Sequence, residues 1–233
     1  MPTITVVGAG PGLGLAIARR FGREGFNVAL LARTREKLDT LVAELATEGI
    51  TAAGFTADIL DPSTVAPAFE AMKERFGSVD VFEFSPAPHS PISGFSMDGP
   101  LDVTYDNLQP QLEYYLYGAI TAAQQVLPAM LEAGKGTLLF TTGGGSISPS
   151  PIMGNVNAAQ AALRNWVLNV HQVVAKRGVY AAHVAISAWI GQTPGAEPST
   201  IAELYWDLYI AQTQAEAVFT VPVNPDASAA HAS

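Results

Sequence analysis

The first fourteen residues constrain the fold more than any other stretch. Thr3–Gly10 ("TITVVGAG") is a short β-branched run ending in glycines, and such side chains pack well on a pleated, buried strand. Its last residues open "GAGPGLG" (Gly8–Gly14), with glycines at 8, 10, 12 and 14. "LGLAIARRFGREG" then reads as a helix stopped by Gly25. A strand, a glycine turn and a helix in immediate succession force the helix back onto the strand it follows. The chain then continues as a parallel β-α-β unit.

The remainder repeats this alternation. Further strands are expected at Asn27–Ala32, Thr51–Asp58, Val79–Phe84, Gly136–Thr142 and Val179–Ser187, with "AVFTVPV" (Ala217–Val223) as a final edge strand. Leu38, Leu41, Val42 and Leu45 form the stripe of one helix, and Pro62 opens another that reaches Phe76. A long helix is expected over Tyr105–Glu132, with Pro110 near its start and Pro128 near its end. Two more cover Asn155–Arg177 and the segment from Ile201. The expected architecture is an α/β Rossmann-type, doubly wound, mostly parallel sheet with helices on both faces. It forms a single domain over residues 1–223, followed by a frayed, low-complexity tail at 224–233. Ligands in such sheets bind beyond the carboxyl ends of the strands, where the strand order reverses.

Composition narrows the function classes. Nearly half of the 233 residues are apolar and only 14% are charged, so a large core forms. The net charge of −9 and the lack of a Lys/Arg stripe argue against nucleic acid. No apolar run approaches the ~18 residues of a membrane span. The absence of cysteine excludes disulfides and thiolate metal sites, and no other metal-ligand spacing occurs. "MPTITVVGAG" has no basic, leader-like head, so the expected setting is the cytoplasm.

The glycine turn carries the first chemistry. Glycines allow the backbone to approach a pyrophosphate, while the free N–H groups and dipole of the following helix hold the anion. Gly8, Gly10, Gly12, Leu13 and Gly14 are therefore candidate dinucleotide contacts. The end of the second strand has Ala32, Arg33, Thr34 and Arg35, where NAD-binding folds usually place an acid. A cationic fork suits a 2′-phosphate, so NADP(H) is favoured, with NAD(H) the alternative. Asp58 is positioned to accept from an adenine amino group, with Ile59 against the ring.

On these residues the chain resembles the short-chain dehydrogenase/reductase family. Its marks are "GAGPGLG", "LLART" (Leu30–Thr34), Ala57-Asp58, "YGAITAAQQVLPAM" (Tyr117–Met130), "GTLLFTT" (Gly136–Thr142) and "AAQAAL" (Ala158–Leu163). The resemblance implies a seven-stranded sheet and hydride transfer between nicotinamide and a carbonyl or alcohol. It also implies a homodimer or homotetramer built through helices 105–132 and 155–177, and a mobile substrate lid at about 187–215. The family uses a tyrosine as proton donor, a lysine four residues on, a serine and a supporting asparagine. Carried over by motif, the serine position is Gly143, the tyrosine position Val156, the lysine position Gln160 and the asparagine position Tyr115. No Tyr-x-x-x-Lys occurs anywhere in the chain. The family's Asn-Ala-Gly after the fourth strand is replaced by Ser85-Pro86-Ala87, and Ser85 and Gln160 remain candidate cofactor contacts.

Replacement groups are few. Tyr115, Thr142 and His89 are the candidates for catalysis: a phenol facing the cleft, a strand-end hydroxyl and a loop imidazole. Trp189 is a candidate cleft wall, and His171 and His183 read as structural. The expected function is NADP(H)-dependent oxidoreduction of a small carbonyl or alcohol by a non-standard proton donor. The alternatives are a non-catalytic dinucleotide-binding sensor or inactive partner, and a pocket repurposed for cofactor-free chemistry.

Overall fold

The computed structural model describes residues 1–88, 92 and 94–221. The strands are β1 (Thr3–Val7), β2 (Asn27–Ala32), β3 (Ala52–Thr56), β4 (Val81–Phe84), β5 (Gly136–Gly143), β6 (Val179–Ser187) and β7 (Glu216–Thr220). They form one seven-stranded sheet in the order β3-β2-β1-β4-β5-β6-β7, and every neighbouring pair is parallel. The order reverses between β1 and β4, which is the switch point where an open α/β sheet leaves a crevice.

Helices cover both faces. On one lie α1 (Leu13–Arg23), α2 (Arg35–Thr47) and α8 (Pro198–Ala211). On the other lie α3 (Pro62–Phe76), α4 (Tyr105–Gln111), α5 (Gly118–Ala123), α6 (Leu127–Ala133) and α7 (Gly154–Val174). Strands sandwiched in this way must be apolar on both sides, and β1, β4 and most of β6 are buried throughout. Helix α3 starts as its sequence suggests: the Asp61 side chain accepts from the Ser63 N–H, and Pro62 occupies the first turn, where no N–H is needed.

Two expectations are corrected. The long helix expected over Tyr105–Glu132 is not continuous. A π-helical turn occupies Leu112–Tyr117, and the helix breaks at Gln124–Val126 before Pro128, which cannot donate to the preceding turn. The segment 187–215, expected as a lid, carries a core-facing stripe on α8. Ile201, Ala202, Tyr205 and Leu208 of α8 are buried. Trp206 and Tyr209 pack edge-on against Phe21 at 5.2 and 5.5 Å, and Arg20 lies 4.5 Å over the Trp206 ring. These contacts pin α8 to α1. Only the loop Ala188–Glu197 remains beside the crevice. The final strand ends at Thr220 rather than running to Val223, and the tail lies outside the described residues. No helix among the described residues is long and apolar enough to cross a membrane.

Candidate functional site

Two cavities open at the carboxyl edge of the sheet, one on each side of the switch point. The smaller, about 420 Å³, lies over β1, β2 and the start of α1. Its floor is the glycine turn. Gly8 has φ +89°, and the N–H groups of Gly8 and Ala9 both donate to the Leu31 carbonyl. A Cβ on Gly8 would stand 2.4 Å from Pro86 Cα, so this position needs glycine both for its conformation and for its contact with the strand-four loop. No side chain caps the N-terminus of α1, and no acid lies in its first turn. Gly12 has open space where a side chain would be.

Gly8, Gly10, Arg33, Thr34 and Ile59 line this cavity as the sequence suggested, together with Lys37, Ala57 and Tyr114. Lys37 was missed: it is in the first turn of α2, and only the fold turns it toward the crevice. Other candidates stand elsewhere. Arg35 is turned away, paired with Asp39 at 2.8 Å and donating to the Gly54 carbonyl. Gly12, Leu13, Gly14, Asp58 and Ser85 are not part of the lining. Asp58 accepts from the Leu60 N–H at 3.0 Å, stabilising its own turn, while its own N–H bonds Thr64 Oγ1. Ser85 donates its N–H to the Val7 carbonyl, and its hydroxyl oxygen lies 2.9 Å from Glu83 Oε2.

The larger cavity, about 1120 Å³, lies over β4, β5 and β6. Tyr115, Gly143, Val156 and Gln160 meet in its wall. Gln160 Oε1 accepts the Gly143 N–H at 3.0 Å, which leaves the Gln160 amide protons for other partners. Burial raises the Tyr115 pKa, and a hydrogen bond with Gln160 works against it. The π-helical turn separates two adjacent tyrosines. Their rings meet edge-on at 5.1 Å, yet Tyr114 lines the small cavity and Tyr115 the large one. Trp189 walls the large cavity and is 67% exposed at its mouth. Among the described residues, no Asp, Glu, Lys, Arg or His lines it.

Thr142 does not face this cavity. Its hydroxyl is buried between Ser146 Oγ at 2.8 Å and His183 Nε2 at 2.7 Å. His183 is wholly buried and meets Glu216 Oε2 through Nδ1 at 3.0 Å, while Arg164 forks onto the same carboxylate. Because Glu216 only accepts, Nδ1 carries the proton, and Nε2 accepts from Thr142. Burial lowers the His183 pKa. His171 bonds the Ala181 carbonyl at 2.7 Å. His89 lies outside the described residues. A Cβ on Gly145 would stand 2.0 Å from Asn157 Oδ1, so the glycine run beside Gly143 lets the turn sit directly on α7.

Sequence reasoning also missed Glu83. The signal was there: it is the one charged residue in "VFEF", a strand otherwise apolar. It is fully buried, bonded to the hydroxyls of Ser85 and Thr141, and burial pushes its pKa up to about 8. Among the described residues, no cluster of three or more His, Cys, Asp or Glu is placed to hold a metal.

The short chain dehydrogenase family model matches residues 2–194 of this sequence. The chain belongs to the short chain dehydrogenase family. Oxidoreductase asL5 from Sarocladium schorii is 29% identical to it over 164 residues, covering 70% of this chain and 62% of that protein. The chain thus spans less than two thirds of that relative's length. Among solved structures, L-sorbose reductase from Gluconobacter frateurii, complexed with NADPH and L-sorbose, matches with a TM-score of 0.80 and 19% identity. The match covers 94% of this chain and 95% of that one. A 3-oxoacyl-[acyl-carrier protein] reductase with bound NAD from Brucella melitensis also has a TM-score of 0.80, at 17% identity over 93% and 89% of the two chains. The seven-stranded short chain dehydrogenase fold is therefore common to all three structures.

Proposed function

We propose that this short chain dehydrogenase binds NADP(H) and exchanges a hydride with an uncharged carbonyl or alcohol, with Tyr115 as the proton-donating group. The observation that carries the reading is the pair of cavities meeting at the switch point: one has a glycine turn and two cations, the other a single buried phenol on an uncharged wall. The smaller cavity fits the phosphorylated half of a dinucleotide. The uncapped start of α1 offers N–H groups and a positive dipole end to a pyrophosphate, with open space at Gly12 for close approach. Arg33 and Lys37 would hold a 2′-phosphate, and among the described residues the lining has no acid to prefer a ribose hydroxyl. NADP(H) is thus favoured over NAD(H). Tyr114 and Ile59 flank the space for the adenine ring.

The bound cofactor supplies the hydride. The protein's part in the larger cavity is to orient the carbonyl, exclude water and present a proton. In this reading Gly143, Val156 and Gln160 stand where relatives carry the catalytic serine, tyrosine and lysine, so the usual route is closed. Valine has no proton, and an amide cannot lower a phenol pKa by charge. Tyr115 is neutral before reaction, gives its proton to the oxygen as the hydride arrives, and the phenolate left behind is reprotonated from water at the cavity mouth. The Gln160 amide proton not shared with Tyr115 gives that oxygen a second donor or holds the ribose. The apolar wall excludes water and raises the worth of both bonds. Copies would pair through the helices of 105–132 and 155–177, on which Tyr117 and Val173 are exposed.

The test has two stages. Energy transfer from the three tryptophans to bound NADPH measures binding, with NADH as the comparison. Turnover is then followed on a panel of neutral aldehydes and ketones for the wild type and Tyr115→Phe. Binding without turnover on any of them would sink the catalytic half of the reading and leave the cofactor half standing.

A further inference from the structure

Glu83 is used by nothing described so far, yet a carboxyl group this deep in a core needs an account. It stands opposite Val6 and Leu139 in the sheet and has no cation beside it. Its partners are hydroxyls: Ser85 Oγ at 2.9 Å from Oε2, and Thr141 Oγ1 at 3.1 Å from Oε1. Thr141 Oγ1 in turn lies 2.6 Å from the hydroxyl of Tyr205, which is wholly buried in α8. Among the described residues, Tyr205 is the titratable side chain that faces this cluster. The charged groups of α1 and α8 lie toward the surface, where Arg20 pairs with Glu24 and Glu203.

The protons in this chain can be counted. Thr141 has one, and it is given to Glu83 Oε1, so Tyr205 must donate to Thr141. Burial holds Tyr205 neutral, and at neutral pH the same effect holds Glu83 protonated. The carboxylic acid proton then sits on Oε2 and is donated to Ser85 Oγ. Ser85 is left with its own proton and no inward acceptor for it. Its backbone is fixed, since its N–H is bonded to Val7 at the end of β1. The next residues, Pro86 and Ala87, line the smaller cavity, and Pro88 lines the larger. Any ligand spanning both cavities crosses this loop.

We propose that Glu83 is a positioning residue for the cofactor: as a neutral carboxylic acid it donates to Ser85 and turns the serine O–H outward, toward the dinucleotide where it passes between the cavities. The proposal rests on the NADP(H) reading above. When Glu83 loses its proton, Ser85 must donate inward, the outward donor disappears, and a negative charge lies under the crossing point of an anionic ligand. Binding of the cofactor above the titration point of Glu83 therefore takes up a proton.

The experiment titrates the full chain with NADPH from pH 7 to 9.5, using wild type, Glu83→Gln and Ser85→Ala. Arg33 and Lys37 are common to all three, so differences between variants isolate the cluster. The wild-type Kd is expected to rise about tenfold or more over that range. Glu83→Gln, whose amide reproduces the protonated donor, should keep the pH 7 affinity throughout. Ser85→Ala should bind at pH 7 about as weakly as the wild type at pH 9.5. Calorimetry at pH 9 in two buffers of different ionisation enthalpy should show proton uptake for the wild type and none for Glu83→Gln. A flat wild-type profile, or a Glu83→Gln profile parallel to it, overturns the proposal. Should Glu83→Gln not fold, Ser85→Ala decides: proton uptake clearly below the wild type's supports the proposal, and uptake equal to the wild type's overturns it. No NADPH binding at any pH is a different result, and it removes the cofactor reading itself.

Discussion

The two cavities on either side of the switch point solve opposite problems with the same sheet edge. The smaller places Arg33 and Lys37 beside a bare helix start, in a chain whose net charge is −9. The larger has more than twice the volume and, among the described residues, no charged side chain in its wall. Charge is concentrated where an anion would be gripped and withheld where a neutral group would react. In the proposed reading the difference separates binding from chemistry. The first would rest on backbone N–H groups and cations, the second on a phenol and an amide away from charged side chains.

The largest effect should come from the uncharged side. Tyr115→Phe is expected to lower turnover about 10²–10⁴-fold, the usual worth of a general acid, while leaving NADPH affinity within a few-fold. Steady-state rates together with tryptophan energy transfer would check both. Equal loss of binding and turnover would show that the separation is false.

Next is the carboxyl group beneath the junction. Glu83 binds a proton in the folded protein up to about pH 8, while an unfolded chain releases it near 4.5. Stability from this group is therefore full below about 4.5 and falls as pH rises, by at most ~1.4 kcal/mol per unit, until about 8. Thermal melts of the wild type and Glu83→Gln should diverge in the variant's favour from pH 5 to 8. Parallel curves would mean that Glu83 is ionised and paired.

On the charged side, Arg33→Ala should weaken NADPH by roughly ten- to a hundredfold, the worth of one or two hydrogen bonds to a charged group, and NADH by much less. Equal losses for both nucleotides would remove the preference for the 2′-phosphate.

The smallest effect should come from a group that lines neither cavity. The His183 pKa is lowered by burial, so stability from the neutral imidazole is full above about 6.5 and is lost as pH falls below it. His183→Gln should flatten the melting curve between pH 5 and 7. A variant as acid-sensitive as the wild type would place the titrating group elsewhere.

Much of this was legible in the sequence because it is local. The β-branched run before Gly8, the stop at Gly25 and the Asp61-Pro62 start of α3 depend on neighbours a few residues away. The alternation of strands and helices then dictates a parallel sheet. The glycine turn could be placed for the same reason. The long helix over Tyr105–Glu132 was read as continuous because periodicity continues across the π-helical turn, although the geometry does not. That turn sends Tyr114 and Tyr115 into different cavities. Thr142 looked available because strand-end position is a sequence property, whereas its use by His183 arises from the register of β5 against β6.

The sequence by itself determined the order of elements, the parallel sheet and the place of the glycine turn. Only the tertiary structure decided which side chains meet. Lys37 reaches the crevice, α8 locks onto α1 through aromatic edges, and Glu83, Thr141 and Tyr205 join across 122 positions of chain from residue 83 to residue 205. The reason is physical. Hydrogen bonding and burial act over a few ångströms, and the distances that matter between strands are set by their pairing rather than by any pattern along one of them.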